Sequence, residues 1–199
     1  MPHSARPGIV SVPVPGHREM ISRLSVFLRA ADSALDAWDL YADEHADLDG
    51  WPYNPDAYDD RKAERDRAVW MAFKPVREEA GVLLDAAEAD LGRIPIPSVH
   101  NRWAWQLAQL RNALDQIAAT RTEYRELLAA HPHASPEAKN AAVDARNAEA
   151  WSALYGWLVH GRAVLEIHTT AARTTPRLRI TAFVPPPVPP ASAGHTTRR

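Results

Sequence analysis

An all-α fold, an antiparallel up-down-up-down bundle of four long helices, follows from three features of the sequence. Apolar residues recur at steps of three and four through most of the 199 residues. Prolines fall in pairs that divide the body of the chain into four segments. No useful strand-like alternation occurs between residues 17 and 173.

The proline pairs are Pro52/Pro55, Pro95/Pro97 and Pro132/Pro136. Proline removes a helical donor and clashes with the preceding turn, so each pair marks a break. The segments left are about 17–47, 56–91, 98–131 and 135–173. In the first, Ile21, Leu24, Leu28, Ala31, Leu35, Trp38 and Ala42 form one stripe. The second carries Val69, Phe73, Val76, Ala80, Leu83 and Ala87. It opens with the cap-and-turn sequence Asn54-Pro55-Asp56 and closes at Leu91-Gly92. Pro75 should kink it or start a new helix there. In the third, Trp103, Leu107, Leu110, Leu114, Ile117, Tyr124 and Leu128 line up, with Arg121 as the interruption and Ser98 as a candidate cap. The fourth begins Ser135-Pro136-Glu137 and aligns Trp151, Leu154, Leu158 and Leu165. Tyr155, Trp157 and Val159 make it apolar on further faces, which marks 151–167 as deeply buried or as an interface. A coiled-coil rod would show similar stripes, but three proline-marked turns favour a bundle.

Residues 1–16 and 174–199 read as tails. Ten of the 17 prolines lie in the two terminal regions, and Pro185–Pro190 favours extended polyproline-II chain. Residues 178–184 alternate weakly, without a partner strand.

Composition excludes several functions. No cysteine is present, so disulfides, thiolate metal sites and cysteine nucleophiles are absent. A net charge of −2 argues against a whole-chain grip on nucleic acid. No run is apolar enough to cross a membrane or to serve as a signal peptide, so the expected address is the cytoplasm. The bias to 36 Ala and to 20 Arg over 3 Lys is that of a G+C-rich, bacterial-type genome and needs no binding role. Walker, dinucleotide-binding, Gly-x-Ser-x-Gly and His-Glu-x-x-His motifs are all missing.

Charge placement is the functional lead. Residues 30–60 hold ten acids and no Lys or Arg, while residues 160–199 hold six Arg against Glu166 alone. Asp32, Asp36, Asp39, Asp43 and Asp47 share one helical face. Acids late in a helix oppose its dipole, so local stability does not explain them. The plain reading is a solvated face offset by Arg61, Lys62, Arg65 and Arg67. A second reading docks a basic partner or the chain's own Arg-rich tail, with Asp36, Asp39, Asp43, Trp51, Tyr53 and Tyr58 as the contacts. A third places Mg²⁺ or Mn²⁺ between Glu44-x-x-Asp47 and Asp56-x-x-Asp59, for hydrolysis of small phosphorylated molecules. Three aromatics beside an acidic turn are more than solubility requires, although they can simply close the bundle end. Trp38, Trp70, Trp103 and Trp151 lie on or beside the stripes and read as core. The nine histidines contain no metal-binding spacing; His45, His160 and His168 are the weak exception. The expected function is therefore a non-enzymatic helical interaction protein, working through a protein partner or self-association.

Overall fold

A computed structural model describes residues 16–95 and 97–174, without the side chains of residues 97–99. Both expected tails lie almost wholly outside the described residues. The described chain is helical: α1 His17–His45, α2 Pro55–Arg77, α3 Ala80–Leu91, α4 Pro97–Ala130, α5 Pro136–His160 and α6 Arg162–Thr174. Among the described residues there is no strand, only an isolated bridge between Ala46 and Pro52. No helix is long and apolar enough to cross a membrane.

The boundaries follow local chemistry. Asn54 accepts from the Ala57 backbone N–H, and Ser135 accepts from that of Ala138. Each cap is followed by proline at the first helical position, where the missing donor costs nothing. Several boundaries differ from expectation. Pro75 does not start a new helix but lies inside α2; the segment breaks at Glu78 and Glu79 instead. The third helix starts at Pro97, so Ser98 is inside its first turn rather than at its cap. Gly92 closes α3 in the right-handed region, not the left-handed one. The fourth segment breaks between α5 and α6 at Gly161. A Cβ there would overlap the carbonyl oxygen of Trp157 and come within 3.1 Å of Leu28 Cδ2.

Helix pairs are fixed by side-chain contacts. Phe27 meets Phe73 and Trp38 meets Tyr58, so α1 and α2 run antiparallel. Trp105 meets His160 and Tyr124 meets Arg146, so α4 and α5 do the same. The second and fourth segments touch along the middle, through α2 against α5 and α3 against α6. Val69, Phe73, Val76, Ala80, Leu83 and Ala87 are all buried, as their spacing predicts. Phe27 and Trp157 lie off the predicted stripes and are also fully buried, both packed on Phe73 of α2. Tyr155 and Val159 face solvent.

The two halves repeat one another. One spacing relates Asn54-Pro55-Asp56 to Ser135-Pro136-Glu137, Arg65-Asp66 to Arg146-Asn147, and Trp70 to Trp151. A second relates Leu24 to Leu110, Trp38 to Tyr124 and His45 to His131. The contacts repeat as well. Arg65 donates through Nε and Nη2 to Asp66 Oδ1, and Arg146 donates through the same atoms to Asn147 Oδ1. Arg65 lies between the rings of Trp38 and Trp151; Arg146 lies between those of Tyr124 and Trp70. His45 and His131 each bond through Nδ1 to the carbonyl four residues back. The α1–α2 hairpin and the α4–α5 hairpin are thus related by an approximate internal two-fold.

Candidate functional site

The halves differ most where α1 joins α2. Residues 46–53 fill this connection, where the second half has only 132–134 between the corresponding histidine and cap. The longer loop is built rather than slack. Asp47 Oδ1 accepts from the backbone N–H groups of Asp49 (3.0 Å) and Trp51 (2.8 Å). The Asp47 N–H donates to the Trp51 carbonyl, and the Tyr53 N–H to that of His45. Gly50 turns the chain at φ +83°, a conformation costly for other residues. The result holds Leu48, Trp51 and Tyr53 outward, the last two 73% and 71% exposed and Leu48 fully so. Ala42, Asp43, Asp47, Leu48, Tyr53 and Tyr58 line a groove of about 520 Å³ beside it.

The acidic residues surround this loop. Asp36, Asp39, Asp43, Glu44, Asp47, Asp56 and Asp59 are exposed. Among the described residues, Asp36, Asp39, Asp43 and Glu44 make no ion pair, while Asp32 pairs with Arg162 at 2.5 Å. The cations on α2 bond elsewhere: Arg61 to Glu64, Arg65 to Asp66 and Arg67 to Asp144. Arg61 also lies 5.8 Å from the Tyr41 ring centroid. Tyr58 is half-buried on Trp38 and Tyr41, so it closes the bundle end, whereas Trp51 and Tyr53 do not. Trp70 and Trp103 are buried; Trp38 and Trp151 are partly exposed and serve the Arg65 stack.

The candidate metal residues Glu44, Asp47, Asp56 and Asp59 do not form a close ligand group. Among the described residues that grouping is His17, Asp90 and His168, at the other end of α1. His17 and Asp90 escaped the sequence reading, because the three come from α1, α3 and α6 with no characteristic spacing. The other histidines proposed to join His168 lie apart from it: His45 stacks on Tyr41, and His160 packs edge-on to Trp105. Burial holds the His160 imidazole below its ordinary pKa, and its Nδ1 has no hydrogen-bond partner among the described residues.

Comparisons of the chain with protein-family models, with curated proteins and with solved structures find no match.

Proposed function

We propose that this chain is a non-enzymatic interaction protein of the cytoplasm, an antiparallel four-segment helical bundle that presents the loop 46–53 to a basic protein partner. The observation carrying this reading is the exposure of Leu48, Trp51 and Tyr53 on a loop fastened by Asp47 and Gly50. Large apolar side chains held in water lack a folding rationale, and a preorganised loop loses little entropy on docking. The matching half closes its hairpin with 132–134 alone, so a shorter connection is able to join two helices of this kind. Unpaired acids on α1 around the loop suit a basic surface, which would gain association rate from them.

The test compares the full chain with a Leu48→Ser/Trp51→Ser/Tyr53→Ser variant. Proteins recovered with each from a cell extract are quantified, and self-association is measured by light scattering. The variant should keep its helicity and thermal midpoint while losing a defined partner or its own oligomer. Identical partners and mass for both proteins would defeat the reading.

A further inference from the structure

The second end of the molecule carries a different chemistry. His17 is the first residue of α1, Asp90 is in the last turn of α3, and His168 is within α6. His17 Nε2 lies 3.1 Å from His168 Nδ1, and His168 Nδ1 lies 3.2 Å from Asp90 Oδ2. One ligand atom from each of the three residues lies within 4.8 Å of the other two. Asp90 is buried, and both imidazoles are partly exposed.

Hydrogen bonding alone serves this arrangement poorly. A ring nitrogen carries either one proton or one lone pair. Protonated, His168 Nδ1 must divide one donor between His17 and Asp90. Unprotonated, it accepts from His17 and turns its lone pair toward a carboxylate oxygen. No tautomer satisfies both contacts with full bonds. A cation satisfies them together, because all three atoms then present lone pairs to it. Zinc–ligand bonds of about 2.0–2.1 Å set tetrahedral ligand-to-ligand edges of about 3.3 Å, close to the two short separations here, and His17 and Asp90, within 4.8 Å, draw together on binding. Arg93 Nη2 holds the other Asp90 oxygen, Oδ1, at 2.9 Å, a support of the kind that orients ligating carboxylates.

The internal repeat bears on His17. By the spacing that relates α1 to α4 it corresponds to Trp103, a buried indole whose Nε1 donates to Glu166 Oε2. The matching helix start therefore closes without a histidine.

We propose that His17, Asp90 and His168 bind one divalent transition-metal ion, zinc by its ligand set. Two imidazoles and one carboxylate are poor ligands for Mg²⁺ or Ca²⁺, which favour oxygen. Three protein ligands leave a coordination position for water or an exchangeable ligand.

The experiment uses the full chain without an affinity tag, stripped with chelator and titrated calorimetrically with ZnCl₂ in millimolar Mg²⁺. One ion per chain should bind, and zinc should raise the thermal midpoint. His17→Ala and Asp90→Asn should each weaken binding at least ~10-fold, since even outer-shell changes cost about 10–100-fold. His133→Ala, in an exposed loop, should leave it unchanged. His17→Ala removes a partly exposed side chain at a helix start, so it remains informative if the buried Asp90→Asn fails to fold. Absence of stoichiometric binding would overturn the proposal. So would stoichiometric binding that His17→Ala leaves intact, because the ion would then sit on other histidines.

Discussion

Arg65 and Asp66 show how a buried charge is held in this molecule. Their side chains are 9% and 2% exposed, so both ions have left water. The guanidinium recovers part of that cost by lying on two indole faces, 3.7 Å from the Trp151 centroid and 4.6 Å from that of Trp38. Removing one partner of such a pair strands the other. Arg65→Met should therefore destabilise by about 3–5 kcal/mol in chemical denaturation. Asp66→Asn should cost less, about 1–2 kcal/mol, because Asn147 already fills the same role beneath Arg146 and only the charge assistance is lost. Equal losses would show that the stacked arginine depends on the full charge of Asp66 and that an amide cannot replace it. His160 is a second residue-scale case. Its folded pKa is lowered, so the unfolded chain takes up the proton first as pH falls. Its contribution is complete above the ordinary histidine range and is lost on acidification through and below about 6.5. Thermal midpoints of wild type should fall more steeply from pH 7 to pH 5 than those of His160→Gln; parallel slopes would refute this.

At the scale of the helix, two glycines predict opposite outcomes from one substitution. Gly161 lies at the α5–α6 break against Leu28 of α1, and Gly81 lies in α3 with nothing within 4 Å of a built Cβ. Gly161→Ala forces a shift of packed groups and should destabilise by about 1–3 kcal/mol. Gly81→Ala only restricts the unfolded chain and should stabilise by about 0.4–1 kcal/mol. Calorimetric melting of the two variants reads the sign directly. The same scale shows what was legible in the sequence. Stripes and caps located the helices, since both are local: Asn54 and Ser135 cap as their neighbours imply. Break positions were less legible because they depend on the partner helix, as Gly161 against Leu28 shows. The repeat was hidden by its two spacings. Extra residues in the first hairpin shift α1 against α4 differently from α2 against α5, and the matched pairs conserve chemistry, as in Trp38 and Tyr124, more than identity. His17, Asp90 and His168 were hidden for a related reason. Three helices far apart in sequence bring them together, so no short window contains the trio.

On the scale of the whole molecule, the departures from internal symmetry separate scaffold from function. Where the halves agree, as in the capped prolines and the stacked arginines, the shared feature is one that both hairpins need in order to pack. The loop 46–53 belongs to the first half alone, and a direct exchange tests whether folding needs it. Residues 46–53 are replaced by Pro-His-Ala, the sequence of 132–134, leaving His45 and the Asn54 cap in place. The bonds lost are chiefly those within the loop, from Asp47 to Asp49 and Trp51 and from Tyr53 to His45. A shorter closure recovers a fraction of a kcal/mol in chain entropy. Stability should therefore change by less than about 1 kcal/mol, or about 2–4 °C in thermal midpoint for a chain of this size. Partner binding or self-association should disappear together with Leu48, Trp51 and Tyr53. A large loss of stability would instead make the loop part of the scaffold. Retained binding in a stable exchange variant would move the interaction to another face of the bundle.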